Sequence, residues 1–141
     1  MIKFYNTPDR ALEEFKPQDP QDVKIYTCGP TVYAAPHIGN WAAFIYWDIL
    51  VRVLRANGYT VRRTINITDV GHLVSDEDEG EDKLEKGARR EGKTAWEVAE
   101  YYTDDFLEGF KKLNLVFPDN LLRATDFIPE QINIVKNLRD K

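Results

Sequence analysis

Apolar positions fall in short blocks punctuated by Gly, Pro and Asn. Val23–Cys28, rich in β-branched and aromatic residues, reads as a strand. Gly29-Pro30 then makes a turn, and Pro36 breaks the chain again. From Gly39 to about Asn57 the pattern predicts a helix carrying Phe44, Ile45, Trp47, Leu50, Val51 and Leu54. These cover more than one face, so the helix is expected to be largely buried. Asn57-Gly58 is a suitable stop, because Gly takes the left-handed conformation without a Cβ clash. Tyr59–Ile67 alternates in part and is rich in Thr, Val and Ile, which predicts a second strand. Strand, turn, helix and strand form a βαβ unit, for which a parallel sheet and a right-handed connection are expected.

An acidic stretch follows, then a basic one over Lys86–Lys93. Thr94-Ala95-Trp96-Glu97 is a capping-box pattern. The helix it opens places Trp96, Ala99, Thr103, Phe106, Phe110 and Leu113 on one mostly apolar stripe, the mark of core residues. Pro118-Asp119-Asn120 ends that unit. A last helix over about Ile128–Arg139 has Ile128, Ile132, Val135 and Leu138 on one side. The fold class is therefore α/β. With two clear strands, its parallel sheet is expected to be truncated, with a free edge that invites pairing.

The 141 residues suit one domain, and 43% apolar with 30% charged residues is a globular profile. The longest apolar run, Trp41–Trp47, is only 7 residues, too short to cross a membrane as a helix. The first residues, Met1–Asn6, lack the long apolar stretch of a signal peptide, so a cytoplasmic protein is expected. Cys28 is the single cysteine and can form neither an internal disulfide nor, alone, a zinc site. The net charge of −5 is unevenly spread. Asp69 to Glu85 holds eight acids and one base, leaving sixteen acids and eighteen bases elsewhere. The acidity is local and does not oppose an anionic ligand at a distance.

In an open parallel sheet, ligands bind beyond the carboxyl ends of the strands. Two segments lie there: Cys28–Asn40 and Asn66–Asp69. His37 and Asn40 fall where the first helix begins, and its free N–H groups and positive dipole end favour an anion. Gly39 allows close approach to the backbone, and an imidazole and an amide three residues apart can bracket one phosphate.

Cys28-Gly29-Pro30-Thr31-Val32-Tyr33, His37-Ile38-Gly39-Asn40 and Asn66-Ile67-Thr68-Asp69, in that order, resemble cysteinyl-tRNA synthetases. Phe4-Tyr5-Asn6-Thr7 and Glu14-Phe15 also look like that family's start. The resemblance covers nearly all of residues 1–141 but only the N-terminal part of a longer enzyme. It implies a Rossmann-like catalytic domain of the class I synthetase, HUP type, with residues 1–141 as its N-terminal part and an acidic loop or insertion at about 69–85. It implies a cysteine–tRNA ligase that makes cysteinyl-adenylate from cysteine and ATP with Mg, then charges tRNA(Cys). His37 and Asn40 match the His-Ile-Gly-His signature as catalytic residues at the α-phosphate, where a preorganised donor is worth about 3–4 kcal/mol. Pro30, Thr31, His37, Gly39 and Asn40 would bind ATP, and Gly29, Thr31 and Thr68 the amino acid. Cys28 would be one of four zinc ligands, the zinc taking the substrate thiolate and so rejecting serine.

Two positions depart from the family pattern: Asn40 stands for the second imidazole, and Ala34 for an acid after the tyrosine. The other zinc ligands, the Lys-Met-Ser-Lys-Ser loop and an anticodon-binding domain are not in these residues. Without them, residues 1–141 alone are expected to be inactive; the protein is expected to be a monomer. Two alternatives stay open: a module that binds nucleotide or a partner without chemistry, and a ligase that attaches cysteine to an amino sugar. Taken singly, Cys28 also suits an inert small apolar residue, and His37 a helix-start histidine. Thr68-Asp69 suits a strand end and turn. His72 suits a solvated loop, or a metal site with Asp76 or Asp78. The acidic run would repel RNA.

Overall fold

The computed structural model describes residues 2–70 and 83–140. An antiparallel hairpin opens the chain, β1 (Lys3–Asn6) pairing with β2 (Ala11–Glu14). It is fastened by Phe15, whose N–H donates to Ile2 O at 2.9 Å and whose ring meets Phe4 and Tyr59 edge-on. The βαβ unit follows as β3 (Val23–Thr27), α1 (Ile38–Ala56) and β4 (Val61–Ile67). After the segment outside the described residues come α2 (Lys83–Glu91), α3 (Ala95–Lys112), β5 (Asn120–Arg123), a 3₁₀ turn (Ala124–Phe127) and α4 (Ile128–Arg139).

The sheet is parallel, as the βαβ pattern requires, but it has three strands, in the order β3-β4-β5. The third strand and the hairpin were not visible in the sequence pattern. Asn-Leu-Leu-Arg is only four residues long and follows a Pro-Asp turn. Asp119 joins it to the sheet: its Oδ2 accepts from the Arg63 backbone N–H at 2.7 Å.

Central β4 alternates strictly, with Val61, Arg63, Ile65 and Ile67 buried on one face. Against that face pack Phe44 of α1 and Phe106 and Phe110 of α3, with ring centroids 4.9–5.8 Å apart. A second cluster of Val23, Val51, Leu54 and Val61 lies beneath it. The capping box at Thr94 forms as expected: Thr94 Oγ1 accepts from Glu97 N, and Thr94 N donates to Glu97 Oε2 at 2.8 Å. Gly58 closes α1 at φ +87°.

Three expectations need correction. Helix α1 is amphipathic rather than largely buried: Phe44, Asp48, Val51 and Leu54 face the core, while Ile45, Tyr46, Ile49 and Val53 are exposed. Only one of its sides meets the sheet and α3. Trp96 and Leu113, assigned to the core stripe of α3, are exposed (67% and 42%), while Ala99, Thr103, Phe106 and Phe110 are buried. Trp96 sits at the flank of the stripe, and Leu113 is already the C-cap. Asp69, the first acid of the loop or insertion expected at about 69–85, is held at the end of β4. It is 7% exposed, and its carboxylate accepts from Thr125 N at 3.0 Å and Thr125 Oγ1 at 2.6 Å. These bonds tie the end of β4 to the turn after β5. The rest of the acidic run through Asp82, with His72, Asp76 and Asp78, lies outside the described residues.

Candidate active site

The carboxyl ends of β3 and β4 are joined by Asn66. Its Oδ1 accepts from Gly29 N and from Tyr26 Oη, both at 2.9 Å, and its Nδ2 donates to Thr68 Oγ1 at 3.0 Å. One amide thus fixes three points of the site. Beyond the strands, an isolated parallel bridge links Thr31 and Thr68, with Thr68 N donating to Pro30 O at 3.0 Å and Val32 N to Thr68 O at 3.2 Å. Gly29 has no room for a side chain, since a Cβ there would lie 1.6 Å from Asn66 O. Its smallness serves the closing of this junction.

Helix α1 begins across the turn, and His37 is its N-cap. Imidazole Nδ1 accepts from Gly39 N at 3.0 Å, and Asn40 Oδ1 accepts from His37 N at 3.0 Å. Histidine and asparagine here replace the usual hydroxyl and carboxylate of a capping box. A neutral imidazole accepting at Nδ1 carries its proton on Nε2. An amide accepting at Oδ1 keeps both Nδ2 hydrogens. The cap therefore consumes the acceptor atoms and leaves two donor atoms, which have no partner among the described residues. Gly39 is part of this device, because a Cβ there would stand 2.9 Å from His37 Cε1.

The expectation of free backbone donors at this helix start is corrected. Gly39 N is taken by the imidazole, and Asn40 N and Trp41 N donate to His37 O at 2.9 and 3.2 Å. What remains for an anion is the helix dipole, the Ile38 N–H, which has no partner among the described residues, the two side-chain donors and a first turn without acids.

These groups line one cleft of about 430 Å³, within the size range of small-molecule sites. Cys28, Gly29, Pro30, Thr31, His37 and Asn40 all border it. Thr68 reaches it through its bridge to Thr31, and Gly39 underlies His37. Tyr33, Phe44 and Trp47 add an apolar wall that the sequence reading did not assign. The signal was available, since Asn40, Ala43, Phe44 and Trp47 follow the spacing of one helix face. Asn66 was also passed over, and nothing in its strand pattern marks it as a clamp.

Cys28 is exposed at the cleft. No group of three or more His, Cys, Asp or Glu side chains able to hold a metal occurs among the described residues. These residues therefore do not fit a zinc ion by themselves, since they offer one thiol where structural zinc takes four ligands.

The family model for the catalytic domain of class I (C) tRNA synthetases matches residues 14–141. The chain belongs to this family. Among relatives of this synthetase domain, cysteine–tRNA ligase 1 of Burkholderia lata is 50% identical over 137 residues, 97% of the chain. The cysteine–tRNA ligase of Borrelia garinii subsp. bavariensis is 45% identical over 141 residues, the whole chain. That of Novosphingobium aromaticivorans is 42% identical over 140 residues. The chain spans 28–29% of the length of these relatives. The α/β architecture with its parallel sheet agrees with the catalytic domain of a class I synthetase. Among the described residues, no helix is long and apolar enough to cross a membrane.

Proposed function

We propose that the full-length protein is a cysteine–tRNA ligase, and that residues 1–141 are the N-terminal part of its catalytic domain. The reading is carried by the cleft at the strand ends, where two capping side chains keep their donors free beside Cys28 and the Thr31–Thr68 bridge. In the first step a carboxylate oxygen of cysteine attacks the α-phosphorus of ATP. The bond to the β-phosphate oxygen breaks, and pyrophosphate leaves with its magnesium. His37 Nε2 and Asn40 Nδ2 donate to the phosphate oxygens on which negative charge accumulates, aided by the dipole of α1. Gly39 and Pro30 leave room for the nucleotide, and Gly29, Thr31 and Thr68 hold the amino acid. In the second step a ribose hydroxyl of tRNA(Cys) attacks the carbonyl carbon, and AMP leaves.

Cys28 is proposed as one thiolate ligand of a zinc ion whose other ligands lie outside these residues. Such an ion supplies a thiol-selective contact that a serine hydroxyl meets poorly. No part of the phosphate chemistry above depends on it. The tRNA acceptor is favoured over an amino sugar because the relatives are named as cysteine–tRNA ligases.

The test is cysteine-dependent ATP–pyrophosphate exchange by the full-length protein, with charging of tRNA(Cys) compared against an amino-sugar acceptor. In His37→Asp the side chain still caps the helix but has acceptor atoms only and so removes the donor. Exchange should fall roughly 100-fold or more, the usual loss for one such donor. Absence of cysteine-dependent exchange would sink the reading, as would wild-type exchange in His37→Asp.

A further inference from the structure

One buried charge has no task in the chemistry above. Arg63 of β4 is 1% exposed. Its Nε donates to Thr27 Oγ1 at 3.1 Å, while Nη1 and Nη2 are buried without a partner among the described residues. The guanidinium lies 5.8 Å from the centroid of the Phe110 ring. Burial lowers its pKa from the ordinary arginine value, opposed by the Asp48 carboxylate. Asp48 is itself engaged elsewhere, with Arg52 Nε at 2.6 Å and Val116 N at 2.7 Å.

A guanidinium with two desolvated, unbonded nitrogens is a poor way to fill a core. An apolar side chain of similar length would serve stability as well or better. The compensating gain lies in its single bond. Thr27 is the last residue of β3, directly before Cys28 and Gly29. Among the described residues β3 has only β4 as a strand neighbour. Residues 63 and 66 of β4 point to opposite faces. Asn66 grips the end of β3 from one face through Tyr26 and Gly29, and Arg63 grips it from the other through Thr27.

We propose that Arg63 is a positioning residue, which acts through Thr27 to hold Cys28 and Gly29 in register for the amino acid, at the expense of core stability. The proposal rests on the function proposed above for those two residues. It concerns the amino-acid side of the cleft, because neither residue is assigned to ATP and the His37–Asn40 helix start has its own cap.

The experiment compares Arg63→Met, Arg63→Lys and Thr27→Val in the full-length protein. Arg63→Met should keep the wild-type thermal midpoint or raise it. Amide hydrogen exchange at Cys28 and Gly29 should quicken about tenfold, and KM for cysteine should rise about tenfold, the lower end for lost outer support of a site. KM for ATP should stay within about twofold. Thr27→Val should reproduce these effects, and the double variant should be no worse than either single one, as for two ends of one bond. Arg63→Lys, which retains a donor, should recover part of the loss. Wild-type exchange rates and KM for cysteine in both Arg63→Met and Thr27→Val would overturn the inference. A fall in thermal midpoint with both KM values rising together would also overturn it, by showing a merely structural role. A wild-type protein lacking cysteine-dependent exchange would overturn the proposed function and the catalytic half of this inference. The hydrogen-exchange comparison then still decides the positional half.

Discussion

Replacing Gly29 by alanine adds one methyl group at the tightest junction of the site. The new Cβ would lie 1.6 Å from Asn66 O and 2.8 Å from both Asn66 C and Ile65 Cγ2. Two of these three atoms are backbone, so no side-chain rotation relieves the contact. Restoring a normal separation needs the strand ends to part by roughly 1.5 Å or more. Three hydrogen bonds span that gap: Gly29 N to Asn66 Oδ1 at 2.9 Å, Thr68 N to Pro30 O at 3.0 Å, and Val32 N to Thr68 O at 3.2 Å. Losing two of them costs about 2 kcal/mol, and forcing a packed region apart adds about 1–3 kcal/mol. The expected destabilisation is therefore about 3–5 kcal/mol, a large share of a typical domain's stability. Urea unfolding followed by tryptophan fluorescence measures it. Gly58→Ala is the control, with nothing within 4 Å of its Cβ but a φ of +87°, for a penalty of roughly 1 kcal/mol. Gly29→Ala unfolding within about 1 kcal/mol of wild type would refute the argument that close approach dictates glycine at this position.

Phe106→Ala empties the centre of the aromatic cluster beside Trp41, Phe44 and Phe110, and should lower unfolding free energy by about 3–5 kcal/mol in the same assay. Thr94→Ala removes the N-cap of α3 and should cost about 1 kcal/mol, read as a lower urea midpoint with unchanged slope. The Glu97 carboxylate is held below its ordinary pKa of 4.5, chiefly by the Thr94 backbone N–H and then by its hydroxyl. Its stabilisation should be complete above pH 4.5 and fade as pH falls through the depressed folded value. Acid titration of stability should show a shallower decline in Glu97→Gln, and an identical decline in both proteins would contradict the assignment.

The βαβ unit was legible because its signals were strong and local. Val23–Thr27 and Val61–Ile67 carry β-branched alternation, and Gly58 stops the helix between them. The hairpin and β5 were not legible, because strands of four residues that are mostly exposed have no buried face to impose a pattern. At the cleft, residue identities were readable but the use of their atoms was not. His37 and Asn40 stood out as donors, while their acceptor atoms turn inward to cap the helix. Asp69 looked like one acid among many. Only the tertiary pairing with Thr125, 56 positions away, shows it as a structural bolt. Arg63 would be taken for a surface cation on any hydropathy scale, yet it is buried beside the Phe110 ring.

The space over Gly39 makes two positions of the helix start, 37 and 39, mutationally inseparable. A side chain at position 39 would collide with the imidazole that caps the helix. That side chain would push the imidazole from its place and loosen the bond between Nδ1 and the backbone N–H of residue 39. Once His37 has been displaced, a second substitution at position 37 would do little further harm. The segment should therefore show strong less-than-additive epistasis in a paired mutational scan, with position 39 acting as the permission on which the value of position 37 depends.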